Sequence, residues 1–298
     1  MIHVIEVKNC TMLYSSKKGI EDVSFQVKEG EVFGYLGPNG AGKTTTIRCM
    51  LGFMKAQTGE IIINGLNSWS DAAKIQSSVG YIPGEMALFD EMTGIEFLNF
   101  QLQMRNVKDK SRLNELLVRF DLDPKGKIRK MSKGMKQKVG LITAFMHDPQ
   151  IYILDEPSSG LDPLMQQVFV DLIKEERKRG KTILMSSHSF EEVDKTCDRI
   201  AMIRDGKIVL IEDVEVVKQH RRKIFSVSVD NASEIKKMKQ LGMSVIFEND
   251  HYAEVEVLGD FKPFFELLKQ INVLDLDVKT QRLEDIFMKF YGKEGDFK

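Results

Sequence analysis

The stretch "GPNGAGKTT", Gly37 to Thr45, constrains this chain more than any other. It fits G-x-x-x-x-G-K-[ST] at every specified position, follows the apolar "EVFGYL" and precedes the helix-like "TTIRCML". A strand that ends in a glycine-rich loop and continues as a helix is the unit of an α/β sheet. Glycine lets backbone N–H groups curl around phosphate oxygens without Cβ clashes, and the helix that follows points its positive end at the same charge. Gly37, Pro38, Asn39, Gly40, Ala41, Gly42 and Thr45 thus form a cradle for a nucleoside triphosphate. Lys43 reaches the β- and γ-phosphates, and the Thr44 hydroxyl joins a Mg²⁺ shell.

The rest of the chain supports that start. Residues 1–66 read as short strands with tight turns, and 86–146 as helical. Thr93 with Glu96 forms a capping box, and Leu113, Leu116, Leu117 and Phe120 share one helix face. The buried-strand patterns "IYILDEP" and "KTILMSSH" flank a helix-like segment from Pro163. Strands alternating with helices predict a mainly parallel sheet covered on both faces. "RIAMIRDGKIVLIE" reads as a hairpin turning at Asp205-Gly206.

Beyond about Glu215 the pattern becomes strand, helix, strand, strand, helix, strand, with a last helix at 283–291. That βαββαβ order predicts a second, ferredoxin-like α+β domain over 222–298, after an ATP-binding domain over 1–215. The basic joint "KQHRRK" reads as a solvated linker.

Composition narrows the classes. Lys+Arg number 43 against 44 Asp+Glu, so no global field favours nucleic acid. No apolar run approaches the roughly 18 residues of a membrane span, and the opening "MIHVIEVKNC" reads as a strand rather than a signal peptide. Cys10, Cys49 and Cys197 form neither a CxxC nor a ligand cluster and carry no functional assignment.

Asp155 and Glu156 close an apolar strand, where ligands of open parallel sheets bind. Asp155 is expected to hold Mg²⁺, directly or through water, and Glu156 to polarise the attacking water. Three further motifs follow one another around this pair. "MSKGMKQ" (131–137) precedes it; "SSGLDP" (158–163) and "MSSHSFEEVDKTCDRIAMIRDGKIV" (185–209) come after.

Together these resemble the ATP-binding cassette (ABC) family over about residues 1–215. The resemblance implies a P-loop NTPase core with an antiparallel β subdomain and a helical subdomain at about 86–146. It implies that Tyr14 stacks on adenine, although a packed surface aromatic explains Tyr14 equally well. Ser132 and Gly134 would belong to the signature segment that faces the γ-phosphate of a second subunit. Asp162 would sit at the subunit contact, and His188 would sense the γ-phosphate.

A chain with one phosphate loop and one signature segment needs a second ATP-binding subunit, a homodimer being the expected form. ATP then drives head-to-tail closure and hydrolysis releases it. Two positions depart from the family pattern. Lys133 replaces the first glycine of the signature, and Gly84, in "YIPGE", stands where the family has a glutamine that contacts Mg²⁺ and the attacking water. Glu85 beside it is the candidate to replace that contact through water.

The resemblance implies an ATPase subunit, peripheral on the cytoplasmic face of the membrane, that powers an exporter whose transmembrane permease subunits are separate chains. The tail "QRLEDIFMKFYG" resembles drug, antibiotic or lipid exporter subunits. The alternative is a soluble cassette ATPase acting on ribosomes or DNA. It lacks support from a second cassette, a coiled coil or a basic surface.

Overall fold

The computed structural model describes residues 2–14, 18–219, 222–258 and 261–279. They divide into two units, one through Val214 and one from Glu215 onward. The first unit begins with His3–Leu13 (β1), Gly19–Lys28 (β2) and Val32–Leu36 (β3), then Lys43–Met50 (α1). Thr58–Ile63 (β4), Leu66–Asn67 (β5), Ala72–Ser78 (α2) and Val79–Ile82 (β6) follow. Three helices come next: Gly94–Met104 (α3), Ser111–Arg119 (α4) and Lys133–Phe145 (α5). The unit finishes with Ile151–Asp155 (β7), Pro163–Lys178 (α6), Thr182–Ser187 (β8), Phe190–Thr196 (α7), Arg199–Arg204 (β9) and Lys207–Asp213 (β10).

Two sheets carry this unit. One is antiparallel, in the order β2-β1-β4-β5; the other runs β10-β9-β3-β8-β7-β6, parallel except for its edge strand β10. Strands β3, β7 and β8 are buried at every residue, as strands covered on both faces must be. β2 instead buries Ile20, Val23, Phe25 and Val27 and leaves the residues between them more open. Phe25 stacks on Phe33 with ring centroids 5.4 Å apart, joining the two sheets in one core that also takes in Ile47 and Met50 of α1. The hairpin turn sits where expected, with Asp205 and Gly206 both at positive φ (48° and 79°).

Within the helical stretch the first helix starts at the expected Thr93 cap. Residues 86–93 remain irregular, because α3 starts only at its cap: Thr93 Oγ1 accepts the Glu96 N–H at 3.3 Å while Glu96 accepts the Thr93 N–H at 2.7 Å. On α4 and just past it, Leu113, Leu116 and Phe120 are buried as their spacing predicts. Two elements, α2 and β6, have no counterpart in the sequence reading. β6 has four residues, too short for a period, and is held by its parallel pairing to β7.

The helical stretch is tied to the sheet unit through α6. Glu176, fully buried on α6, pairs with Arg112 of α4 and with Arg179, and the exposed Glu175 pairs with Arg119. All three cysteines are free and buried, Cys49 within α1. No helix among the described residues is long and apolar enough to cross a membrane.

The helix Val214–Gln219 (α8) leads to the second unit, which contains Arg222–Val229 (β11), Ala232–Gln240 (α9), Ser244–Asn249 (β12), Tyr252–Leu258 (β13), Lys262–Leu268 (α10) and Val273–Lys279 (β14). Its sheet is antiparallel throughout, in the order β12-β13-β11-β14. Phe225, Val227 and Val255 of the sheet pack with Ile235 and Met238 of α9 and Phe264 of α10. The expected helix at 283–291, the rest of the "QRLEDIFMKFYG" tail, and His220 and Arg221 of the basic joint lie outside the described residues.

Candidate nucleotide site

The glycine-rich loop joins β3 to α1, and its shape follows from what surrounds it. A Cβ on Gly37 would lie 2.3 Å from the Ile203 carbonyl oxygen, so only glycine fits between β3 and β9 there. Gly42, at φ 112°, is the left-handed cap of α1. Pro38, Asn39 and Gly40 are exposed and Ala41 is buried. The loop borders a cavity of about 210 Å³ together with Tyr14, Lys18 and Glu156. The Tyr14 hydroxyl lies 3.5 Å from Thr45 Oγ1 and 3.4 Å from Met54 Sδ.

Lys43, 5% exposed, lies inside the loop rather than out in solvent. Its ammonium donates to the carbonyls of Gly37 (2.6 Å) and Pro38 (3.3 Å) and pairs with Glu156 Oε1 at 3.1 Å. The other Glu156 oxygen faces His188 Nδ1 at 2.6 Å. One carboxylate thus touches both the phosphate-loop cation and the imidazole at the end of β8. Glu156 reaches this position at φ 49°, a left-handed conformation that costs a non-glycine residue about 1–3 kcal/mol. Such strain, held by a fixed surround, is characteristic of working sites.

Asp155, fully buried, accepts from Thr44 Oγ1 at 2.7 Å through one oxygen and from Ser186 Oγ at 2.5 Å through the other. Ser186 Oγ in turn accepts the Glu156 N–H at 3.0 Å. Burial first, and the Asp155 charge after it, push the Tyr81 phenol up to about 12. Thr44 and Asp155 therefore present hard oxygen donors side by side. This donor set suits Mg²⁺, which keeps several waters, binds phosphates and needs only one or two protein oxygens.

Gly84 lies directly against this pair. A Cβ there would sit 3.0 Å from Asp155 Oδ2, so any side chain at that position would point at the carboxylate. Its neighbour Glu85 is exposed and borders a different cavity, of about 410 Å³, with Met131, Lys133, Lys136 and Gln137.

Ser132, Gly134 and Asp162 form a separate group. Ser132 caps α5 by accepting the Met135 N–H at 3.2 Å, and Asp162 caps α6 by accepting the Met165 N–H at 3.0 Å. Gly134 lets the two segments meet, since a Cβ on it would lie 3.0 Å from the Gly160 carbonyl. The Lys133 methylenes lie over Gly160, about 3.2 Å from where a Cβ would stand. The residues bordering the phosphate-loop cavity do not include these three.

Three contributors escaped the sequence reading. Ser186 bridges Asp155 and the Glu156 backbone, Lys18 borders the cavity, and Gln137 donates to the Pro157 carbonyl at 2.7 Å, tying α5 to the loop after β7. Ser186 had a signal in the paired serines before His188. Gln137 closes the "MSKGMKQ" motif without a role assigned to it there, and Lys18 had no signal.

Comparison with known proteins agrees with this geometry. The profile of the ABC transporter family matches residues 20–159. The chain is 35% identical to the uncharacterized ABC transporter ATP-binding protein YhcH of Bacillus subtilis (strain 168), covering 97% of this chain and 96% of that one. It is 30% identical to the bacitracin transport ATP-binding protein BcrA of Bacillus licheniformis, covering 98% of each. A solved ATP binding subunit of an ABC transporter superposes with a TM-score of 0.66 at 32% identity, covering 72% of this chain and 92% of that one. A buried phosphate-loop lysine, a Thr–Asp oxygen pair and a strained glutamate against a histidine, within that fold, place this chain in the ABC transporter family as one of its ATP-binding, ATP-hydrolysing subunits.

Proposed function

We propose that the chain energises a membrane exporter built from separate permease subunits and two ATP-binding subunits. The observation that carries the transport role is the relation to BcrA, named for bacitracin transport, which extends over 98% of both chains and so includes the C-terminal unit. The linearmycin resistance ATP-binding protein LnrL of Bacillus subtilis, 30% identical over 97% of this chain, supports the export direction, since resistance to a compound calls for its removal.

The separation of the two residue groups supports a dimer. Lys43, Thr44, Asp155, Glu156 and His188 gather at one loop, whereas Ser132, Gly134 and Asp162 gather elsewhere. Each ATP site is completed when the signature group of one subunit covers the phosphate loop of the other, and a homodimer provides two such sites. Binding closes the pair and hydrolysis opens it.

Within each site the roles follow from the contacts. The loop N–H groups and Lys43 hold the β- and γ-phosphates, and Tyr14 stacks on the base. Mg²⁺, held by Thr44 and Asp155, neutralises phosphate charge when bound. ATP draws Lys43 away from Glu156, freeing that carboxylate to orient and deprotonate water. His188 senses the γ-phosphate. Glu85, next to Gly84, reaches the metal side through water.

The permease subunits hold the chain at the cytoplasmic face of the membrane. The unit from 222 onward is a ferredoxin-like domain that braces the dimer, and residues 1–215 form the ATPase domain. The test is purification of the tagged chain from gently solubilised membranes. Recovery of a polytopic membrane protein in fixed ratio is expected; sedimentation with ribosomes instead would overturn the exporter reading.

A further inference from the structure

His188 stands at the apex of a short turn between β8 and α7, and the contacts that hold that turn converge on Glu192. Ser187 is fixed on both sides. Its carbonyl accepts the Gly37 N–H at 3.3 Å, so its backbone is tied to the phosphate loop. Its hydroxyl accepts the Ser189 N–H at 3.0 Å, closing the turn around His188, and donates to Glu192 Oε2 at 2.6 Å. The other Glu192 oxygen, Oε1, is buried and has no hydrogen-bond partner, so the Ser187 hydroxyl is the contact that holds this carboxyl. Ser158, Ser187, His188 and Glu192 border one cavity of about 370 Å³, on different residues from those lining the phosphate-loop cavity.

Glu192 has a rigid base. It lies on α7, whose Phe190, Val193 and Thr196 are buried. Burial raises the pKa of the Glu192 carboxyl, against the Ser187 hydroxyl that lowers it. An uncharged amide is therefore the conservative replacement.

We propose that Glu192 is a positioning residue for ATP hydrolysis: through the Ser187 hydroxyl it fixes the turn that aims the His188 imidazole at Glu156. Without this acceptor the Ser187 hydroxyl is left only the Ser189 carbonyl, at 3.4 Å within the turn itself, and the turn loses the bond that anchors it to α7. The 2.6 Å approach of His188 to Glu156 then loosens, while the phosphate loop and Lys43 remain as they were. A misplacement of about 1 Å near the chemistry is worth up to about 100-fold in rate. The inference rests on His188 and Glu156 acting in turnover.

The experiment compares the wild type, Glu192→Ala, Glu192→Gln, His188→Ala and the double variant E192A/H188A. Steady-state ATP hydrolysis gives kcat and KM, and fluorescence titration with ATP serves as the folding and binding control. Glu192→Ala is expected to lower kcat about 10–100-fold with KM within about threefold of wild type. Glu192→Gln is expected to recover most of the loss. The double variant should be no slower than His188→Ala alone, because both changes remove the same interaction.

Losses that multiply in the double variant, a wild-type kcat in Glu192→Ala, or a change confined to KM would each overturn the inference while leaving His188 in its role. Wild-type turnover in His188→Ala would overturn that role, and this inference with it. If Glu192→Ala fails to bind ATP, Ser187→Ala removes the same hydrogen bond and must show the same non-additivity with His188→Ala.

Discussion

Replacing Glu156 by Gln removes one charge from the centre of the site and almost no volume. The backbone strain at φ 49° is unchanged, and the amide still reaches Lys43 and His188, so the fold has no reason to alter. Two effects of opposite sign follow. The base is lost, and a positioned base is worth about 10²–10⁴-fold in turnover. Meanwhile ATP no longer has to separate Lys43 from a carboxylate 3.1 Å away. The gross attraction of that pair is roughly 5 kcal/mol at an effective dielectric of about 20, but desolvation of both groups offsets most of it. A hydrogen bond to a charged acceptor exceeds one to a neutral acceptor by about 1 kcal/mol net. ATP should therefore bind about fivefold more tightly to Glu156→Gln than to the wild type. Phosphate release measures the first effect and fluorescence titration with ATP the second. Turnover within about threefold of wild type would remove Glu156 as the base, and weaker ATP binding would refute the competition for Lys43.

Three further outcomes are expected. Gly37→Ala places a methyl group 2.3 Å from the Ile203 carbonyl and should cost about 1–3 kcal/mol in urea unfolding, with weaker ATP binding because the loop must shift. His147, whose Nε2 lies 3.3 Å from the Val79 carbonyl, has its pKa lowered from 6.5 to about 4, by burial first and the Arg105 charge second. Between those values the unfolded chain binds the extra proton and the folded one does not. Stability present above pH 6.5 should thus fall by about 2 kcal/mol by pH 5, and urea midpoints for His147→Gln should lack that component. Glu85→Ala should lower both ATP hydrolysis and its stimulation by the membrane partner; if both stay at wild-type values, Glu85 has no part on the metal side.

What could be read in advance follows the range of the physical rule involved. The phosphate loop lies in nine consecutive residues, and its glycines and lysine need no distant partner to identify them. The Thr93–Glu96 box and the buried side of α4 are likewise settled within one or two helical turns. Asp155 and Glu156 stood out because four apolar residues precede them and a strand must end somewhere. The 86–93 stretch stays irregular because the start of α3 is set by its capping threonine, as the Thr93–Glu96 pattern predicts. α2 and β6 were missed; β6 is a strand only because β7 offers its edge.

The sequence by itself determined the chemistry: a phosphate loop, a carboxylate pair, a signature segment and a histidine, in an order that fixed the family. The tertiary structure decided which of these groups touch. β8 lies between β3 and β7, with Ser186 in register beside Asp155 and Ser187 beside Leu36, and no local pattern announces that placement. It makes Ser186 a bridge, sets Glu156 between Lys43 and His188, and brings the Asp155 carboxylate close against Gly84, 3.0 Å from where a Cβ would stand. Strand order is a property of the whole sheet. It depends on the burial of every strand at once, whereas motif and period depend only on neighbours along the chain.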